Sequence, residues 1–399
     1  MTYRLGLLSE IPVVERHGQY WALDLWVKDL QAQAACVQSV TLFCPVTALP
    51  TADTVLLPLP DAVKVVDLTS TTPLLTREVA EVDVVQIPGN FTWRGSRRAR
   101  LFTRIAHRAG KPAMLAISSD RATTMLVNSR GQNFVRRLRA RLGSFSITTS
   151  QRYLAQHCEG AFVVGEGLRR IVEPSNRNVF VGTASWIRSS DIQPALARRR
   201  DPAAIRLCIA ARLEQMKGIH VGLDAFADLD KRTGLEPLSL FVAGAGPEEA
   251  ALRAQSASLQ LGDSVTFAGT FAYPEPFFEM LRSQDIVVLT NLNDEQPRLV
   301  FDAVSQGCLI VCPDSLPYRA LGIPRRLLYR RGDATSLADA IASAIAAIGD
   351  LELRLELQAM SRTATIESMH ERRRDWVNTT LLAGAGRAPD NPELRRRAG

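Results

Sequence analysis

The sequence predicts an α/β protein built from two doubly wound domains, each a parallel sheet wrapped by helices on both faces. Three observations carry this. Short strands rich in Val, Ile and Leu alternate with longer helical stretches from one end of the chain to the other. The strands are continuous apolar runs rather than alternating ones, the mark of strands buried on both faces. Finally, 399 residues exceed what one hydrophobic core usually serves, and the alternation runs twice, over about 180 residues each time.

In the first half the strand-like runs are residues 3–8, 40–44, 63–66, 82–87, 113–117 and 160–164. Amphipathic stretches at 20–33 and 96–109 read as helices between them. A first domain is expected over residues 1–185. A linker follows at 186–204, where Pro194, Pro202 and three consecutive arginines interrupt the periodicity. The second domain, 205–365, repeats the pattern with runs at 205–211, 238–244, 264–269, 285–290 and 308–313. Residues 366–383 form a last helix carrying Trp376, Val377, Leu381 and Leu382. Residues 384–399 lack apolar periodicity and are expected to be a disordered tail.

Composition narrows the class. A hydrophobic fraction of 46% and a charged fraction of 22% exclude disordered, collagen-like and disulfide-scaffold proteins. No apolar run approaches the roughly 20 residues of a membrane-spanning helix, and Ser9 and Glu10 break the N-terminal apolar stretch too early for a signal peptide. The six cysteines show no metal-ligand spacing, and Cys308 and Cys312 share one apolar run, so reduced core thiols and a cytosolic chain are expected.

The net charge of +7 is unevenly spread: residues 1–185 carry 22 Lys and Arg against 14 Asp and Glu, or +8, leaving −1 for the rest. Residues 94–141 alone hold 13 basic residues and one acid, Asp120. Such a block attracts nucleic acid, an anionic lipid surface or a phosphorylated substrate, or it is simply a solvated basic surface. Within it, residues 128–145 place Phe134, Val135, Leu138 and Leu142 at helical spacing among Arg136, Arg137, Arg139 and Arg141. This fits an interfacial basic helix, and equally a helix docked on the sheet by the same apolar residues. No aromatic interleaving or binding module supports nucleic acid, which is not expected as a partner.

Three segments of the second domain carry chemistry. After the strand at 205–211 come Arg212 and Lys217 with Gly218, two cations at the carboxyl end of a strand, where open α/β sheets bind ligands. That suits a diphosphate, although Arg and Lys flank many such turns. The strand at 238–244 is followed by Gly244, Gly246 and Pro247, a tight βα turn. The third segment runs from Asp294 and Glu295 through Pro297, Arg298, Leu299 and Val300 to Asp302 and Ala303. It is a polar loop entering a helix, whose first-turn amides face outward to an anion. The carboxylates of Asp294 and Asp302 suit vicinal hydroxyls, and they equally suit a helix cap and a solvated face.

In this order the segments resemble the GT-B glycosyltransferases, specifically the large retaining group known as family 4 or group 1. That family carries R…KG, then a G-x-G-P turn, then E-x7-E running into A-x3-G. Arg212 and Lys217 match the first, Gly244, Gly246 and Pro247 the second, and Asp294, Pro297, Leu299, Val300, Asp302, Ala303 and Gly307 the third. The resemblance implies two Rossmann-like domains facing a central cleft, with residues 366–383 crossing back to the first. It implies metal-independent transfer of a sugar from a nucleotide-sugar donor (UDP- or GDP-linked) to a glycan or lipid-linked acceptor, with retention and no cofactor. Arg212 and Lys217 would hold the diphosphate, Asp294 the donor sugar with Glu295 beside it, and Asp302 the ribose. Gly18, Gly246 and the backbone at Arg298, Leu299 and Val300 would complete the donor site.

Two departures stand out. Both glutamates of the acidic motif are aspartates here, and starting from Glu295 leaves six intervening residues instead of seven. The family's double glycine in the first loop is reduced to Gly18, and no histidine follows the strand at 113–117; Asp120 and Arg121 stand there as candidate acceptor-side residues. Asp228 and Asp230 are no metal pair, since residues two apart on a helix diverge by about 200°. Among the five histidines only His17, in the first loop, retains a functional reading. The competing functions are a non-catalytic GT-B module binding a nucleotide sugar or partner, and a GT-B epimerase or phosphorylase. The expected location is cytoplasmic, or peripheral at the inner face of the membrane through the four arginines.

Overall fold

A computed structural model describes residues 2–48, 55–90, 93–194, 205–232, 237–295 and 298–383. Two parallel sheets dominate it. In the first domain β1 (Arg4–Leu8) is followed by β2 (Val13–Arg16), β3 (Gln19–Leu23), α1 (Asp24–Cys36), β4 (Ser39–Cys44), β5 (Val46–Thr47) and β6 (Leu56–Pro58). Next come β7 (Val63–Asp67), α2 (Thr72–Ala80), β8 (Val84–Pro88), α3 (Trp93–Arg108) and β9 (Ala113–Ile117). The domain closes with α4 (Arg121–Asn128), α5 (Phe134–His157), β10 (Gly160–Val164), α6 (Glu166–Val172) and β11 (Val179–Gly182). Seven of these strands form one sheet in the order β11-β10-β9-β8-β1-β4-β7, every ladder parallel.

The second domain runs β12 (Ile205–Ala210), α7 (Ile219–Asp230), β13 (Leu238–Ala243), α8 (Glu249–Ser258), β14 (Val265–Gly269) and α9 (Glu275–Arg282). It continues with β15 (Ile286–Val288), α10 (Leu299–Ser305), β16 (Leu309–Pro313), α11 (Leu316–Ala320), β17 (Leu328–Tyr329), α12 (Ala334–Ala346) and α13 (Leu351–Thr363). Its parallel sheet is ordered β14-β13-β12-β15-β16-β17. Both sheets reverse strand order beside their first strand, at β1/β8 and at β12/β15. Crevices for ligands open at such switch points, at the carboxyl ends of the strands.

The apolar runs are buried as their composition demands: every residue of β16 is buried, as are Leu5, Leu7 and Leu8 of β1. All six cysteines are free thiols, five of them buried. Burial pushes the Cys44 thiol up to about 12. Among the described residues no single helix is long and apolar enough to cross a membrane.

The chain returns to the first domain at its end. Helix α14 (Ile366–Trp376) and the wider turn at Val377–Leu382 set Met369, Val377 and Leu381 into the first domain's core. Trp376 packs at a tilt against Phe180 with ring centroids 5.7 Å apart. Only glycine fits beneath it at position 160, where a Cβ would lie 2.8 Å from both Trp376 and Leu381. The linker residues 195–204 and the tail 384–399 lie outside the described residues.

Two local readings are corrected. Residues 19–23 are a strand, not the start of a helix: β2 and β3 form a hairpin closed by His17 and Gly18 at φ 52° and 77°. Two consecutive left-handed residues make a type I′ turn, one of the two favoured connections of a two-residue hairpin. The hairpin joins β5 and β6 in a small four-stranded sheet, β5-β2-β3-β6. The basic segment 128–145 also splits. α4 ends at Asn128, and α5 starts afresh after Asn133, whose side chain accepts from Arg136 N at 3.0 Å.

The apolar residues at the start of α5 do not dock on the sheet. Phe134 is 76% exposed, Leu142 62% and Phe145 73%, with Val135 and Leu138 also exposed. The helix joins the core only from Ala140 onward, through Ala140, Ile147, Leu154 and Ala155.

Candidate active site

The loops after β12, β13 and β15 converge backbone to backbone. Leu213 N donates to Ala245 O and Glu248 N to Leu213 O, both at 3.0 Å. The approach leaves no room for side chains: a Cβ on Gly246 would sit 2.4 Å from Leu213 O, and one on Gly244, at φ 139°, would sit 1.9 Å from Ala211 O. Gly218, left-handed at φ 64°, ends the turn Gln215–Lys217 and starts α7, with Thr290 O only 2.2 Å from where a Cβ would be. Thr290 also donates to Lys217 O at 2.6 Å. These glycines press the first loop against the end of β15, which fixes Lys217 there.

Lys217 and Glu295 meet in this crevice, Nζ to Oε2 at 4.0 Å, with both side chains mostly covered. Glu295 Oε1 accepts from the backbone N of Asp120, in the first domain, at 2.8 Å. Arg212 lies further out: its side chain is 77% exposed and pairs with Glu214 at 2.7 Å. Asp294 points elsewhere. Its carboxylate is held by Arg170 of α6 at 2.5 Å and by Arg331. Here the two domains touch closely, since a Cβ on Gly167 would overlap Asp294 O at 2.1 Å. Asp120 is itself buried, caps α4 through Thr123 N at 3.0 Å and lies 3.4 Å from Arg170. Arg121 is exposed on the first turn of α4.

Arg298 precedes α10, which Leu299 opens. Val300 is buried in the core, so only its backbone is available to a ligand. Asp302 is 1% exposed and accepts from Arg298 Nε at 3.1 Å and from the Tyr273 hydroxyl at 3.4 Å. Burial raises its carboxyl from 3.8 to about 6, against the pull of Arg298. Because the folded value is the higher one, this group favours the fold fully below about pH 4, and that contribution is lost as pH rises through about 6. The Arg298 guanidinium stacks over Trp186 at 4.0 Å and Tyr273 at 4.8 Å.

Gly18 lies away from this arrangement, at the hairpin tip, where a Cβ would meet nothing within 4 Å. Its left-handed φ serves the turn, and the donor role expected of it has no support in its surroundings. His17 belongs to the same turn. The Pro297 position and its neighbour 296 lie outside the described residues. Asp228 pairs with Arg232 at 2.7 Å, and no group of three metal-ligating side chains occurs among the described residues.

Several contributors gave no signal in the sequence. Arg170 and Arg331 reach Asp294 from 124 residues before and 37 after it. Met216 sulfur accepts from Thr124 at 3.0 Å and Asn293 at 3.2 Å, tying the two domains at the crevice. Tyr273 and Trp186, which frame Arg298 and Asp302, belong to connecting segments that no motif marks.

A second hollow, of about 960 Å³, opens on the first domain at the carboxyl ends of β1, β8, β9 and β10, with Arg298 and Trp186 on its rim.

Comparison with known proteins fits this geometry. Residues 198–360 match the sequence profile of the family described as glycosyl transferases group 1. No curated protein matches the chain by sequence. Among solved structures, HepE of Anabaena in complex with UDP-glucose superposes at a TM-score of 0.61, 14% identical, covering 95% of this chain and 100% of that one. Sucrose-phosphate synthase from Thermosynechococcus elongatus gives 0.63 at 15% identity, over 95% and 99%. The lipopolysaccharide outer core galactosyltransferase WaaB gives 0.61 at 11% identity, over 94% and 99%. The architecture is therefore GT-B: two Rossmann-like domains, with strand ends turned toward the crevice where Asp294 meets Arg170.

Proposed function

We propose that this protein is a glycosyltransferase that moves a sugar from a nucleotide-sugar donor to an acceptor held by the first domain. The observation that carries the reading is the crevice at β12/β15, where Lys217 stands beside Glu295 against a loop that only glycine backbone could approach. Lys217, with Arg212 swinging in from the rim, neutralises the charge that grows on the departing diphosphate. The backbone at Arg298, Leu299 and Val300 adds dipoles to that, and Gly246 lets the diphosphate approach the chain. Glu295 orients the donor sugar, and Asp302 accepts from the ribose once Arg298 yields one of its oxygens. Retention, independence from metal and a hexosyl donor follow from the resemblance of the D-x7-D segment to the family's acidic motif. Uridine nucleotides come first for testing, because HepE is described in complex with UDP-glucose.

The deciding experiment is a thermal-shift screen with UDP-, GDP- and ADP-sugars. A donor at 100 times its dissociation constant should stabilise the fold by about 2.7 kcal/mol. The pH dependence is specific. With the Asp302 carboxyl at about 6, affinity for UDP-glucose, whose phosphates stay ionised, should fall about tenfold from pH 7 to pH 5 as the carboxylate protonates. The slope should flatten in Asp302→Asn. No stabilisation by any nucleotide sugar would sink the transferase reading.

We further propose that the enzyme works at an anionic membrane surface, in glycan or glycolipid synthesis, with α5 as its contact. Exposed Phe134, Leu142 and Phe145 sit among exposed Arg136, Arg137, Arg139 and Arg141, an apolar stripe in a basic frame. Each Arg near an anionic leaflet contributes about 1 kcal/mol. Sedimentation with phosphatidylglycerol vesicles should show binding that fades with salt and weakens when the four arginines become Gln. Equal binding to neutral and anionic vesicles, or none to either, would refute this.

A further inference from the structure

The hollow in the first domain is walled by apolar side chains where a saccharide would need hydrogen-bond partners. Leu7, Leu23, Trp26, Phe162, Val164 and Met369 line it. Its size falls in the range of pockets that enclose drug-sized ligands, and such pockets are mostly apolar with a few polar groups.

One set of polar groups on this wall is engaged with itself, while Ser9, Glu10, Asn90, Ser118, Thr183 and Ser185 stand elsewhere on the lining. Asp29 accepts from Gln33 Nε2 at 2.5 Å and contacts His370 Nε2 at 3.1 Å. Arg373 of α14 donates to Gln33 Oε1 at 2.9 Å and to Gln86 Oε1 at 3.2 Å. That leaves His370 Nδ1 and Arg373 Nε as the network's buried atoms without a partner among the described residues. The apolar stretch of wall offers a sugar's hydroxyls no partner, and each hydroxyl buried against it is left unpaired at a cost. An apolar body with one or two hydroxyls matches that stretch and keeps its hydroxyls for the polar positions.

We propose that the acceptor is a hydrophobic alcohol or phenol whose apolar body fills this cavity and whose reacting hydroxyl stands at the rim beside Arg298. This rests on the glycosyl-transfer reading above and narrows its acceptor. The hydroxyl oxygen bonds to the donor's anomeric carbon as the bond from that carbon to the diphosphate oxygen breaks. The electron pair stays on the nucleoside diphosphate, and the hydroxyl proton passes to a phosphate oxygen. The mouth faces the other domain because the strand ends of β1, β8 and β9 deliver it there.

The test uses the full chain and 17β-estradiol as an apolar hydroxylated probe. Trp26 and Trp186 line the cavity, so their fluorescence reports occupancy without turnover. The expected result is saturable one-to-one quenching that maltose does not compete. Leu25→Trp, at a partly exposed lining position, should weaken it at least tenfold while the UDP-glucose thermal shift persists. Ala116→Trp fills the cavity from the opposite wall and guards against a folding defect in the first variant. Absence of saturable binding with the UDP-glucose shift intact overturns the proposal, as does binding indifferent to both fillers or displaced by maltose. Saturable binding with no nucleotide-sugar shift overturns the transferase reading, and the acceptor role with it.

Discussion

Replacing Lys217 by Ala is expected to cost about 10²–10³ in kcat while leaving the fold intact, because in the proposed transfer its charge acts on the departing diphosphate. Folding should not suffer. Among the described residues the side chain makes one ionic contact, to Glu295 at 4.0 Å, and such a pair is worth about 0–1 kcal/mol. The thermal midpoint should therefore stay within a few degrees of the wild type. Arg212→Ala should lower activity as well, with more of its effect in KM. Arg212 is exposed and linked to Glu214, so it must move to reach a donor. Lys217→Arg should restore part of kcat, since charge returns with a different geometry. Release of the nucleoside diphosphate from the donor, measured with unfolding curves on the same samples, checks all three. Near-wild-type turnover in both Ala variants would remove the diphosphate assignment.

The parallel sheets were legible because runs such as residues 308–313 are apolar on both faces, a pattern that only a doubly covered strand needs. The hairpin at β2 and β3 was not, because Tyr20, Trp21 and Leu23 are as compatible with an amphipathic helix as with a strand. The HG turn that decides between them is two residues long. Likewise the periodicity of Phe134, Val135, Leu138 and Leu142 states that a helix has an apolar face. It does not state whether protein covers that face, and at the start of α5 Phe134, Leu142 and Phe145 stay largely exposed. The crevice was readable where its residues are close in sequence, as with Arg212, Lys217 and Gly218. It was unreadable where distant elements meet. His370 looked like one scattered histidine among five, yet folding sets it 3.1 Å from Asp29, which is 341 residues earlier. Nothing local in either segment signals that pair.

Glu295→Gln is expected to reduce kcat by about two orders of magnitude, while Asp294→Asn should act chiefly on KM and stability. Sequence register favours Asp294 for the sugar, since it keeps seven residues before Asp302. Geometry gives the two carboxylates different tasks. Asp294 is clasped by Arg170 from the first domain and Arg331 from the second, beside the close approach at Gly167. It therefore fastens the two domains at the crevice. Glu295 shares the crevice with Lys217, and its other oxygen is fixed by Asp120 N at 2.8 Å, which orients it toward whatever Lys217 binds. Asparagine at 294 keeps the shape but weakens both ion pairs, so closure becomes less favourable and donor must be added at higher concentration. Arg170→Gln should reproduce that KM effect, and combining it with Asp294→Asn should add little, because both remove the same contact. Glutamine at 295 leaves closure intact and removes the charge beside Lys217, so the loss falls on the chemical step. Steady-state kinetics of the two single variants decides the matter. A larger fall in kcat for Asp294→Asn than for Glu295→Gln would return the sugar-side role to Asp294 and reduce Glu295 to a bridge between domains.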